Sequence, residues 1–277
     1  MNKIFRLVVL LAFPMTGCQE NGEGTLSIEQ VVVVESFLAP GQPPSIKLSS
    51  VIPFTTDTTT EIANAISAME VSISVGDLNY NLVEMTDTPG TYEEPTKRLV
   101  IEEGETYQLQ FTYFDHEVIG TTQVPSKPAN FEISDTLIKL PRITEDSGPG
   151  GMPSMTEIEL TWDNDESDYY LLTIHYMEEE YDTINTVFEI EDAAAAANFS
   201  SQPLQVNFYS IRSMQFSFFG RYQIVLSHIN PEYARLFETL SQSSLEGLTE
   251  PESNVINGKG IFTSYNSDTL WIDVLEE

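Results

Sequence analysis

Apolar residues in this chain recur with a period of two, in short runs broken by turn residues, and that rhythm dictates strands. Residues two apart share one face of a strand, so alternation buries one face and wets the other. Ile46-Lys47-Leu48-Ser49 alternates, as do Met69 to Val75 and Tyr107 to Tyr113. Gly76-Asp77 turns the second of these into Leu78 to Leu82, and Asp115-His116 leads the third into a strand returning to Val124. Ile28 to Leu38 contains the β-branched run Val31 to Val34. Val124-Pro125-Ser126-Lys127-Pro128 ends this unit, because two prolines three apart cannot pair inside a central strand.

A second unit follows with the same rhythm. Phe131 to Leu140 opens it, and the glycines and prolines between Glu145 and Pro153 make an exposed loop. Ile158 to Trp162 and Tyr170 to Tyr176 alternate, and further strands are expected at Asn185–Ile190, Leu204–Phe208, Arg221–His228, Gly260–Ser264 and Thr269–Val274. Trp162 and Trp271 lie in alternating runs and read as core. One helix interrupts the pattern. Asn230 suits an N-cap and Pro231 a first turn, and Tyr233, Leu236, Phe237 and Leu240 form one apolar stripe. The stripe predicts a helix laid over an open face, with docking of a partner as the other reading. Ala193 to Ala197 predicts a short helical turn.

The expected fold is therefore all-β, with two antiparallel β-sandwich modules of immunoglobulin- or transthyretin-like plan. The first spans residues 27–127. The second spans 128–277, with a loop at 141–155 and a helix at 231–241.

The N-terminus bounds the compartment. Lys3 and Arg6 precede the apolar run Leu7 to Phe13, which is too short to span a bilayer but has the proportions of a signal peptide. Met15-Thr16-Gly17-Cys18 resembles the lipobox of bacterial lipoproteins. That resemblance implies removal of residues 1–17 by cleavage between Gly17 and Cys18, lipid (diacylglycerol and palmitate) on Cys18, and a tether at 18–26. Cys18 is the only cysteine, so disulfides are excluded within the chain. The acidic residues Glu20 and Glu23 fit either a solvated tether or a loose signal for transport to the outer face of an outer membrane.

Charge and motifs narrow the chemistry. With 43 acidic residues against 12 basic ones, the net charge is −31, a field that repels nucleic acid and anionic lipid surfaces. No Gly-x-Ser-x-Gly elbow or phosphate loop occurs. His116, His175 and His228 are the three histidines, one at a hairpin and two in strand patterns. They offer neither a zinc set nor an evident catalytic base. Calcium is the better metal candidate, because Asp163, Asp165 and Asp168 place carboxylates in one polar loop. An EF-hand would need glycine at 168 and glutamate at 174, where Asp168 and Ile174 stand, so a solvated turn is the competing reading. No cofactor is expected, nor is enzymatic activity.

Several segments together carry a family resemblance. They are Val33-Val34-Glu35, Ser45–Ser50, Pro89-Gly90-Thr91-Tyr92, Gly104-Glu105-Thr106-Tyr107, Val124 to Pro128, and the terminal Glu250 to Phe262 with Asn257, Gly258 and Gly260. The chain resembles the Bacteroidota lipoproteins catalogued as domain of unknown function 4249. The resemblance implies an outer-membrane lipoprotein, often encoded beside a TonB-dependent receptor, and supplies no catalytic residues. The expected function is a non-enzymatic, outer-membrane-anchored binding or accessory component of such an uptake system, facing either the cell surface or the periplasm. The alternative is a surface glycan-binding protein or hydrolase acting before uptake.

Overall fold

The computed structural model describes residues 31–51, 64–147, 156–240 and 252–277. Gly17, Cys18 and the tether lie outside the described residues, as do 148–155 of the expected loop. Strands dominate. The first group is β1 (Val32–Leu38), β2 (Ser45–Ser50), β3 (Val71–Val75), β4 (Leu78–Glu84), β5 (Thr91–Glu93), β6 (Thr106–Tyr113) and β7 (His116–Gln123). Then come β8 (Glu132–Ile133), β9 (Leu137–Leu140), β10 (Glu157–Thr161), β11 (Tyr169–Tyr176) and β12 (Asp182–Thr183). After α1 (Ala193–Ala196) follow β13 (Phe199–Ser200), β14 (Phe208–Arg212) and β15 (Phe218–Ile229). Helix α2 (Pro231–Leu240), β16 (Val255–Ile256) and the long β17 (Lys259–Glu276) complete the chain.

Alternation in sequence becomes alternation in burial. On β6, Tyr107, Leu109 and Phe111 are buried while the residues between them face solvent. Hydrogen bonds run through β1, β2, β5, β4, β3, β6, β7 and β16, and this row encloses a first core that includes Val34, Leu48, Ile73 and Leu109. A second core lies between β11, β15 and β17 and a separate three-stranded sheet, β14-β10-β8. Leu172, Ile224 and Ile272 meet Ile158, Leu160 and Ile211 across it. Counted by its hydrogen bonds among the described residues, the main sheet is one curled sheet of 14 strands.

Strand β17 joins the two cores. Its first residues pair in parallel with β1, from Val33–Lys259 to Leu38–Ser264. From Tyr265 to Val274 it pairs antiparallel with β15, and its last residues pair with β9. The segments expected as separate strands at 260–264 and 269–274 are thus one strand. Val255 and Phe262 belong to the first core although they lie far beyond residue 127. Asn254 sets this up by imitating a strand backbone: its Oδ1 accepts from the Phe262 amide at 3.0 Å, and its Nδ2 donates to the Phe262 carbonyl at 2.7 Å.

Three other elements differ from expectation. Residues 185–190 form a loop rather than a strand, because they bind the neighbouring turn of Ile143 instead of a sheet edge. Leu204 makes one bridge to Tyr170, and regular pairing starts only at Phe208. Trp271 is 37 % exposed on the outer face, under the Arg221 guanidinium at 4.6 Å from the ring centroid. The helix forms as expected through Leu240, with Ala234 buried and Tyr233 and Phe237 packed against Leu171 and Ile229. The Asn230 amide nitrogen points away from the helix, to Thr122 Oγ1 and Ser264 Oγ at 3.0 Å each. Among the described residues no helix is long and apolar enough to cross a membrane.

Two positions yield tests. Gly260 has φ +87°, and a Cβ there would lie 2.1 Å from the Val34 carbonyl oxygen. Gly104 has a similar φ of +81° but open space around it. Urea unfolding should show Gly260→Ala losing about 2–4 kcal/mol from strain and collision together. Gly104→Ala should lose only the conformational share, about 1 kcal/mol. The Glu94 carboxylate is buried and gathers the amides of Thr96, Arg98 and Leu99 and the Thr96 hydroxyl. Chiefly through the Thr96 hydroxyl, these donors hold its pKa down to about 2 from 4.5. A depressed folded-state pKa stabilises the fold above 4.5, and that stability is lost as pH falls towards 2. Thermal melts of Glu94→Gln should show a lower Tm at neutral pH and a weaker dependence on pH between 4.5 and 2.

Candidate functional site

The carboxylates proposed for calcium do not converge. Asp163 accepts from Asn130 Nδ2 at 2.6 Å, Asp165 is exposed, and Asp168 Oδ2 lies 3.5 Å from His228 Nε2. Asn164 closes the loop instead, accepting from the Asp168 amide at 2.8 Å and donating to the Asp168 carbonyl at 3.1 Å. Among the described residues no group of three or more His, Cys, Asp or Glu side chains is placed to hold a metal. His228 stacks on Tyr170, and its Nδ1 faces the Ser126 carbonyl at 2.9 Å rather than a hydroxyl nucleophile. His116 begins β7 after a two-residue turn in which Phe114 and Asp115 both have positive φ. His175 is exposed on β11.

The structure does bring together an apolar surface at the far end of β17, and Arg142 anchors its base. This guanidinium contacts both oxygens of Asp182 at 2.8 and 3.1 Å, and both of Glu276 at 3.0 and 2.7 Å. It also donates to the Thr183 carbonyl at 2.7 Å and covers the Phe219 ring at 4.8 Å. The paired donors and acceptors lower the pKa of both carboxylates, chiefly through their hydrogen bonds to Arg142. Beyond this latch, Ile143 donates to the Ile184 carbonyl at 2.9 Å and accepts from the Thr186 amide at 2.9 Å. The Ile184 amide reaches the Ser217 carbonyl at 3.0 Å. These bonds hold the backbone at 184–186 with the Ile184 side chain buried in the second core, while Val187 and Phe188 beyond it stay exposed.

The consequence is exposure. Phe188 is 72 % exposed and Met214, on the short turn before β15, is 67 % exposed. They rim a cleft of about 490 Å³ whose walls are Leu140, Ile143, Ile184 and Phe216. Among the described residues Asn185, Ser213 and Ser217 supply its only side-chain polar groups, and none that lines it is charged. On the other side of the same loop, Tyr181, Val187 and Phe218 line a second cleft of about 510 Å³. Tyr181 stacks on Tyr176 at 5.6 Å and meets Phe218 at 4.9 Å. Beneath them burial pushes the Tyr222 phenol well above its ordinary pKa, and its hydroxyl donates to the Phe218 carbonyl at 2.8 Å. Among the described residues the cleft rimmed by Phe188 and Met214 thus has no acid or base in its lining. Its chemistry is apolar burial, worth about 1.5–3 kcal/mol for each large side chain covered. The sequence pattern concealed it, because Val187 and Phe188 fall in a run that resembles a buried strand.

A family model described as Domain of unknown function (DUF4249) matches residues 23–270. The chain belongs to this family. Both clefts fall within the matched span, and Cys18 precedes it. No curated protein matches the chain.

Arg142→Met should free the base of the 184–190 loop. Hydrogen exchange is expected to rise at Ile184 and Thr186, with a global stability loss of about 1–2 kcal/mol. Unchanged protection at those amides would show that the latch does not hold the loop.

Proposed function

We propose that this protein is an outer-membrane lipoprotein of Bacteroidota, anchored by lipid on Cys18, that acts as a non-enzymatic binding or accessory component of a TonB-dependent uptake system. In this reading its two cores are β-sandwich modules of immunoglobulin- or transthyretin-like plan. The surface formed by Phe188 and Met214 carries the proposal. An exposed apolar rim around an uncharged cleft suits a protein partner.

Position supports the same reading. β1 starts beside Lys259, at the first residues of β17, and the clefts lie beyond the pairing of Gly220 with Val274. At about 3.3 Å per residue these points are about 50 Å apart along one strand. A lipid tether entering β1 approaches from the end opposite the clefts. This arrangement supports an apolar end presented away from the anchoring bilayer, towards a neighbouring protein. The negative charge adds to this, since contact with an anionic membrane surface is electrostatically disfavoured.

Affinity recovery of the tagged, lipidated protein from its native membrane in mild detergent tests the proposal. A receptor barrel should be recovered with the wild type. Phe188→Ser combined with Met214→Ser should reduce that recovery at least tenfold, while Tm stays within a few degrees. Cys18→Ala should move the protein from the membrane fraction to the soluble one. Recovery of the wild type without a barrel would overturn the accessory role.

A further inference from the structure

A third concavity lies where the two cores meet, under α2 and on the outer face of β11, β15 and β17. Leu172, Ile224 and Leu226 turn inward to the second core, so their neighbours Leu171, Thr173, Val225, Ser227 and Ile229 face outward. With Tyr265 and Ser267 of β17, Tyr233 of α2 and Phe37 of β1, they line a groove of about 490 Å³.

The lining is chemically selective. Phe37, 38 % exposed, meets Tyr233 at 5.1 Å between centroids, and Tyr265 stands on the neighbouring strand. In a chain with 43 acidic residues, no carboxylate or cationic side chain among the described residues lines this groove. Ionic ligands would find no counter-charge there. A purely apolar ligand would strip water from several hydroxyls without replacing their hydrogen bonds. Ser227 and Ser267 share one hydrogen bond at 2.8 Å, which leaves one of their two protons for a ligand. The hydroxyls of Thr173, Tyr233 and Tyr265 have no hydrogen-bond partner among the described residues. Every polar side-chain group in the groove can therefore donate and accept.

We infer that this groove binds a neutral saccharide, with the face of a sugar ring on Tyr233, Tyr265 or Phe37 and its hydroxyls on Thr173, Ser227 and Ser267. A sugar ring has one face of C–H groups and an edge of hydroxyls that donate and accept interchangeably. It satisfies both halves of the lining at once. Aromatic walls with a few placed polar groups, at a volume of this size, are the usual make-up of a small-ligand site. The inference does not depend on docking at the Phe188–Met214 end, and the two can fail separately.

The test uses the full-length protein purified in detergent and a panel of neutral oligosaccharides: maltohexaose, cellohexaose, xylohexaose and laminarihexaose. Polygalacturonate serves as the charged comparison and an uncharged Ser/Gly/Tyr peptide as the alternative occupant. Calorimetric titration should give saturable binding for at least one neutral sugar and none for polygalacturonate. Tyr265→Ala should weaken it at least about tenfold. Tyr265→Phe and Thr173→Val, which preserve shape and fold, should each weaken it about threefold or more. Phe188→Ser should leave it unchanged. Failure of all four sugars to bind, tighter binding of the peptide, or unchanged affinity in the Tyr265 and Thr173 variants would overturn the inference.

Discussion

Everything in this molecule hangs on one strand that serves two cores. Phe262 fills the first cluster, and Ile272 and Val274 fill the second, with no break in β17 between them. A flexible linker would let two modules reorient, whereas a continuous strand carries direction and twist across the junction. The junction itself is polar. Asn230 Nδ2 points to Thr122 and Ser264, Glu232 accepts from Thr263 at 3.0 Å, and Asn266 Nδ2 donates to Glu103 at 2.8 Å. Such bonds contribute little net energy each, but a shifted register would leave several buried groups unpaired. Packing supplies the cohesion of each half, and this polar belt supplies their alignment.

How much of this could be read in advance depends on the range of the forces involved. Strands β2, β3, β6 and β7 were legible because one face is wet and the other dry, which writes a period of two into the residues. Helix α2 was legible for the parallel reason at a period near four. Shared ownership of β17 was not, because the partners of Gly260 and Asn254 sit more than two hundred residues away or across a turn, and local alternation is blind to them. Trp271 shows the same limit: its position in an alternating run is right, but the run does not say which face is inward. At the candidate site the difficulty is sharper. Thr186 to Ile190 has strand-like composition, and the bonds from Ile143, the turn closed by Asn185 Oδ1 on the Val187 amide, and the Arg142 latch make it a loop with Phe188 outermost.

The contrast between charge and the apolar end also has a physical sense. A net charge of −31 makes copies of the chain repel one another at distances up to the screening length, about 8 Å at physiological ionic strength. Apolar attraction acts only at contact. A cleft rimmed by Phe188 and Met214, with no charge among the described residues that line it, can therefore remain exposed in a concentrated solution of the protein without driving self-association, and it still becomes adhesive once a body of weaker charge comes within contact distance.

That β17 follows in sequence every strand it pairs with has a temporal meaning as well. A polypeptide delivered from its N-terminus can pair β1 through β7 early, yet the first core stays open until Val255 and Phe262 arrive. The second core waits for the same segment. Neither half can become a finished, self-standing body during delivery, and contacts of such long sequence separation are slow to form. A chain built this way stays extensible in both halves until β17 has emerged, because that one strand fills both cores.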